Sequence, residues 1–328
     1  MPNLSYNTLL NRTDVWTNGS RSNDTVTLLP FGWIFSVTIG ASTNAGILAM
    51  VLFAQRHVST FNVYLINLLL GNLYHNVPRP LMLLLMTYIS SMRRSHTCCT
   101  LMLYFQGSSM TVLSLSHLLI TINRLWAVFS PYSYRAKHTR RLAIGLCIAV
   151  WLSANTSQNA ALIMDVLYYR EKTPFLTGHC YLHSKSMKEL TAVNYTVFWI
   201  VPMFGILIGF CAVWYVRRQF LRRIDAMVPS SQMTDAPHSR SEAGTKPSKK
   251  TTDRNIYRTY FFMTMWTIVC WLPIAVAQGL ATFSPVSQQT AVNVFQVSVL
   301  IFYVETIVDP ILLLCVNRDW KMRVCRRF

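Results

Sequence analysis

The chain has 328 residues, of which 52% are hydrophobic and only 13% charged, and its mean hydropathy is +0.32. Ordinary soluble domains carry about 25% charged residues, so this composition excludes a typical soluble globular protein. The net charge of +18 does not mark a nucleic-acid binder, because the basic residues fall between long apolar blocks rather than over an amphiphilic surface.

Residues 1–29 are polar and hold four Asn-x-Ser/Thr sequons, at Asn3, Asn11, Asn18 and Asn23. Four acceptors so close together imply a glycosylated, disordered extracellular tail. This stretch has no apolar core of its own, so the first helix is expected to act as an uncleaved signal anchor. Seven apolar blocks follow, near 31–54, 63–89, 99–123, 142–164, 190–216, 259–283 and 291–316. Each has about 20 or more residues, the length of a spanning helix. With the tail outside, the inner loops and C-terminus hold 20 of the 30 Lys and Arg, and the outer segments hold 8. That bias agrees with an extracellular N-terminus in a multi-pass plasma-membrane protein. The fold expected is an all-α membrane protein, a seven-helix bundle over 30–316.

Residues 223–255 are rich in Ser, Thr, Pro and Lys and read as a disordered cytoplasmic loop. Residues 317–328 are short, basic and amphipathic, with Trp320 and Val324 four apart, and suit a helix lying on inner-leaflet lipid. Cys325 is a juxtamembrane palmitoylation candidate there. The eight cysteines show no zinc spacing. His75, His117 and the carboxylates fall on different blocks at no metal-ligand spacing, so neither a cofactor nor a metal is expected, and no enzymatic constellation is seen.

Motifs in several blocks occur in a joint order. Asn44 lies in the first; Asn62-Val-Tyr-Leu-Ile-Asn and Asn72 lie in the second. The third opens on Cys99, carries no charge before Asn123-Arg124-Leu125, and ends near Pro131. Trp151, Pro202, Cys270-Trp271-Leu272-Pro273 and Asp309-Pro310-Ile311-Leu312-Leu313 complete the series. From about residue 30 to its end the chain resembles the rhodopsin-like G-protein-coupled receptors. The resemblance implies an extracellular ligand, a heterotrimeric G protein and membrane lipids as partners, and no nucleic acid. It implies a Cys99–Cys180 disulfide, with Cys98 as a competitor that only the family spacing disfavours. The loop LYYREKTPFLTGHCYLH around Cys180 alternates aromatic and polar residues, and reads as a β-hairpin or an ordinary loop.

By the same resemblance, Arg79, Gln106, Met110, Asn194, Trp271, Gln278, Phe295 and Tyr303 face the ligand cavity. Amine receptors have an aspartate where Gln106 stands, so a bioamine is not expected. The mixed aromatic and amide residues suit a peptide or a neutral small molecule, and the hairpin-like loop, commoner in peptide receptors of this family, favours the peptide. Arg79, between Pro78 and Pro80, is an intramembrane charge that demands a partner. It can anchor an acidic ligand group, pair with Glu305, or snorkel outward.

The switch residues implied are Asn72, Asn123, Arg124, Asp253, Trp271, Pro273, Glu305, Asp309 and Pro310. Several depart from the family pattern. Asn123 replaces an acid, Phe210 and Leu313 replace tyrosines, and Leu113 replaces a hydroxyl that helps hold sodium. Asn72 and Asp309 look like an aspartate and an asparagine that exchanged helices, which implies that the two touch. Asp253 is expected to hold Arg124. These departures leave a second reading open: a seven-helix ligand- or partner-binding protein that does not activate G protein. A transporter is disfavoured because no internal repeat appears.

Overall fold

The computed structural model describes residues 30–54, 60–93, 95–170, 180, 182, 187–227, 249–283 and 288–316. These residues form helices and their connections, without a strand among them. Seven long helical units can be traced: α1 (Pro30–Phe53), α2 (Thr60–Asn76 and Pro78–Tyr88), α3 (His96–Phe129) and α4 (Arg140–Met164). Next come α5 (Lys188–Tyr195, a π-turn at Thr196–Ile200, then Val201–Met227), α6 (Lys249–Phe283) and α7 (Gln288–Val316). Neighbours pack in chain order, α7 returns to α1 to close the ring, and α3 runs through the centre against α2, α4 and α5.

Among the described residues, four stretches are long and apolar enough to cross a membrane on length and composition alone: Pro30–Phe53, His96–Phe129, Lys188–Val216 and Phe262–Leu280. Of the others, α2 is broken at Val77 and α4 carries the polar run 153–159. The distribution of polarity confirms the setting. Phe31, Phe53, Leu152, Phe204 and Ile208 stand on the outer surface, while Asn44, Asn72, His75, Asn76, Arg79, Glu305 and Asp309 are buried. A water-soluble protein does the reverse; an apolar exterior around a polar interior suits lipid.

Helix boundaries have local causes. The Ser95 hydroxyl caps α3 by accepting from the Cys98 amide at 3.3 Å, and Thr139 caps α4 by accepting from Leu142 at 3.3 Å. In α2, Pro78 opens the second segment after Val77, since proline cannot complete the turn before it. The helices reach further into the polar insert than the sequence suggests. α5 continues to Met227 and α6 starts at Lys249, so the expected loop 223–255 narrows from both sides. Apolar length sets where a helix meets the membrane, but not how far it continues beyond it. The glycosylation sites, residues 228–248, the C-terminal segment 317–328 and Cys325 lie outside the described residues.

The Cys99–Cys180 disulfide is formed, and Cys98 is free, as expected. Most of the hairpin candidate lies outside the described residues; its first part, Leu167–Tyr169, closes α4 as a helical turn instead. Arg170 ends that turn, donating from Nε to Asp165 at 2.9 Å and from Nη1 to Thr100 at 2.5 Å. The pair ties α4 to α3 near the disulfide.

Small residues set how closely the helices approach. A Cβ on Gly209 of α5 would stand 2.4 Å from Thr121 Cγ2 and 3.1 Å from Leu125 Cδ1 on α3. Thr121 is β-branched and its hydroxyl donates to the His117 carbonyl at 2.9 Å, so it yields little. Gly46 of α1 has nothing within 4 Å of the same added atom. The expected outcome is that Gly209→Leu lowers the thermal unfolding midpoint and surface expression sharply, whereas Gly46→Leu leaves both near the parent. Equal behaviour of the two in a detergent melt would contradict the α3–α5 packing.

Candidate functional site

Three polar levels lie along the axis of the bundle. The outermost gathers on Arg79, which the break at Pro78 carries into the interior, where it is 0% exposed. Its Nε donates to Gln106 Oε1 on α3 at 3.2 Å, and its Nη1 donates to Tyr303 Oη on α7 at 2.5 Å. The guanidinium also lies 5.9 Å from the Tyr303 ring centre. One turn along α2, His75 meets Ser109 of α3 at 3.0 Å and packs against the Phe302 and Tyr303 rings. Thus three residues expected at the ligand cavity, Arg79, Gln106 and Tyr303, are bonded together. Met110 and Trp271 join Tyr303 in the same buried core, with Phe295 packed against it. Asn194 and Gln278 are half-buried on α5 and α6.

A groove of about 430 Å³ lies elsewhere, between the outer halves of α3 and α4. Leu101, Ile163, Val166 and Leu167 line it and are exposed on the bundle's exterior, so it borders lipid rather than the Arg79 level.

The middle level surrounds Trp271. Its Nε1 donates to Glu305 Oε2, and its ring meets those of His117 at 5.6 Å, Phe302 at 5.8 Å and Trp199 at 5.9 Å. His117 Nε2 of α3 lies 3.7 Å from Glu305 Oε1 and 3.1 Å from Asp309 Oδ2 of α7. Residues that looked scattered in the sequence therefore converge. His117 was set aside in the sequence for want of ligand spacing, although it stands seven residues from both Met110 and Arg124 and so shares their face of α3. Glu305 and Asp309, four apart, likewise share one face of α7.

The expected Asn72–Asp309 pair does not form. Asn72 Nδ2 donates to Asn44 Oδ1 at 3.0 Å, and Asp309 faces His117. The physical reason is proline chemistry in α7. Pro310 has no N–H, so the Thr306 carbonyl four residues earlier loses its helical donor. Asn44 Nδ2 supplies one at 2.8 Å, and Asn72 binds the other end of that amide. Asn76 extends the network, its Oδ1 accepting from Ser36 at 2.8 Å and from Thr306 Oγ1 at 3.0 Å.

At the cytoplasmic level, the Arg124 guanidinium sits 3.7 Å over the Phe61 ring of α2. Asn123 is buried, and neither its side-chain oxygen nor its nitrogen is hydrogen-bonded. Asp253 belongs to α6, but its side chain lies outside the described residues, and with it the expected contact to Arg124. Beside Arg124, Trp126 anchors the short helix Pro131–Lys137 by ring contacts to Tyr134 and His138. His138 Nε2 lies 3.0 Å from the Tyr64 hydroxyl, and burial pushes its imidazole pKa down, favouring the neutral ring.

Because Asn72 and Asp309 have separate partners, their substitutions are expected to act independently. Asn72→Asp and Asp309→Asn should each lower thermal stability or surface expression, and the double exchange should be no better than the sum of the two. Recovery in the double variant would show that the two side chains do pair.

The family model described as 7 transmembrane receptor (rhodopsin family) matches residues 43–313, which takes in α2–α6 whole, the second part of α1 and most of α7. The chain belongs to the rhodopsin family of seven-transmembrane receptors.

Proposed function

We propose that this receptor binds an extracellular peptide through the outer level of the bundle and activates a heterotrimeric G protein at its cytoplasmic face. In this reading it resides in the plasma membrane with its glycosylated N-terminus outside, and Cys325 is lipid-modified beside the inner leaflet. The observation that carries the ligand class is the Arg79–Gln106–Tyr303 cluster. A neutral amide at Gln106 offers an ammonium ligand no counter-ion, and the adjoining fixed charge is a cation. An acidic side chain or a C-terminal carboxylate of a peptide matches it, exchanging Gln106 and Tyr303 for a charge-assisted pair. Met110, Asn194, Trp271, Gln278 and Phe295 supply the mixed apolar and amide surroundings a peptide uses.

A second reading, ligand or partner binding without G-protein activation, is favoured by the cytoplasmic residues. Asn123 brings no charge to Arg124, and Phe210 and Leu313 lack the hydroxyl of the tyrosines they replace in the family pattern. The resting lock then rests on Asp253, with Phe61 sharing the guanidinium. A pair exposed to water at that surface contributes about 0–1 kcal/mol.

Nucleotide exchange, measured in membranes containing the receptor and a panel of G proteins, decides between the readings. The parent should accelerate exchange when an acidic-peptide library is added, and Asp253→Asn should raise basal exchange several-fold. A well-expressed receptor that stays silent under every condition, with Asp253→Asn equally silent, would favour the non-activating reading.

A further inference from the structure

The middle level contains more buried carboxylate oxygens than its hydrogen bonds account for. Glu305 and Asp309 are 1% and 0% exposed. The Trp271 indole N–H satisfies Glu305 Oε2, but Glu305 Oε1 and both Asp309 oxygens accept no hydrogen bond. His117 Nε2 is within 3.1 Å of Asp309 Oδ2 without the alignment of a hydrogen bond. A ring nitrogen close to two carboxylates and hydrogen-bonded to neither has the posture of a ligand to a shared cation.

We propose that His117, Glu305 and Asp309 bind a zinc-class divalent cation, bridging α3 and α7. Their ligand atoms all lie within 4.8 Å of one another, with the imidazole nitrogen 3.1 and 3.7 Å from the two oxygens. Zinc ligands stand about 2.1 Å from the metal, which puts tetrahedral neighbours about 3.4 Å apart, so closure needs only a small adjustment. One imidazole and two carboxylates are a donor set that suits zinc. The charges also balance: two carboxylates and a neutral imidazole carry −2, which a divalent ion cancels and a monovalent ion does not. Such cancellation matters in a low-dielectric interior, where an uncompensated charge is costly. The Trp271 N–H on Glu305 orients one ligand from behind, as outer partners of metal ligands do. Asn72 and Leu113 take no part. The carboxylates come from α7 and the nitrogen from α3, so this ligand set differs from a sodium site built on a helix-two acid.

The test uses the purified full-length receptor in lipid nanodiscs, depleted of metal and titrated with zinc chloride. Bound zinc is read by elemental analysis and stability by the thermal unfolding midpoint. The parent is expected to retain one zinc more per chain than His117→Ala and to melt at higher temperature with zinc. Sodium or magnesium at the same step should not reproduce that shift. Trp271→Phe, which keeps an aromatic ring but loses the N–H, should weaken zinc by about tenfold or more. Should His117→Ala fail to fold, His117→Cys serves instead, because a thiolate ligand should turn the site toward cadmium. Equal zinc uptake by parent and His117→Ala would overturn the proposal. So would stabilisation by sodium alone, or a His117→Cys receptor without gained cadmium affinity.

Discussion

Inside a bilayer no water repairs a broken backbone hydrogen bond, and this bundle is built around that constraint. Prolines interrupt four of its helices, and each frees a carbonyl four residues earlier. Two of those carbonyls are answered from across the bundle. Asn44 of α1 donates to Thr306 of α7, and Ser114 of α3 donates to Phe198 of α5 at 2.7 Å, the carbonyl that Pro202 leaves open. The defect in one helix thereby becomes the attachment point of another. The Asn72–Asn44 and Asn76–Thr306 bonds extend the first of these into a network across α1, α2 and α7. Asn67 does comparable work further in, accepting from Trp151 of α4 at 2.9 Å and donating to Ser116 of α3 at 2.8 Å.

Helix α7 is where these attachments concentrate. Over one face it meets Arg79 through Tyr303, Trp271 through Glu305, Asn76 and Asn44 through Thr306, and His117 through Asp309. These span only seven residues, about two helical turns. A ligand that draws Arg79 away from Tyr303 therefore acts on the helix that also carries Glu305 and Asp309. Rigid displacement of α7 must exchange all of these bonds for others, which favours discrete arrangements over gradual deformation. That is the property a receptor switch requires, and it arises from polar groups held in an apolar setting.

Much of this was legible in the sequence, for definite reasons. Seven apolar lengths and the Lys/Arg bias pointed to the bundle, because each depends on local composition, and the Cys99–Cys180 link followed only from the family resemblance that the ordered motifs carry. Arg79 was conspicuous, since an intramembrane charge between two prolines demands an explanation. The partners were harder. Whether Asn72 meets Asp309 or Asn44 depends on the rotation of three helices, which one-helix periodicity does not fix. His117 was passed over because its ligand-like neighbours lie about 190 residues away, and spacing rules for metal ligands describe local clusters. The extent of α5 and α6 into the insert was missed for another reason: beyond the membrane, hydropathy no longer reports where a helix ends.

Side chains donating to proline-freed carbonyls hold the bundle together. Thermal unfolding of the purified receptor in detergent tests this by comparing Asn44→Leu and Ser114→Ala with Thr43→Val. The Thr43 hydroxyl donates only to carbonyls of its own helix, at 2.8 and 3.1 Å. Interhelical bonds in membranes contribute about 0.6 kcal/mol on average and up to about 1.7. Asn44→Leu removes bonds to both α7 and α2, so it should be the most destabilising of the three, followed by Ser114→Ala, with Thr43→Val near the parent. Midpoints for Asn44→Leu and Ser114→Ala indistinguishable from that of Thr43→Val would contradict the account.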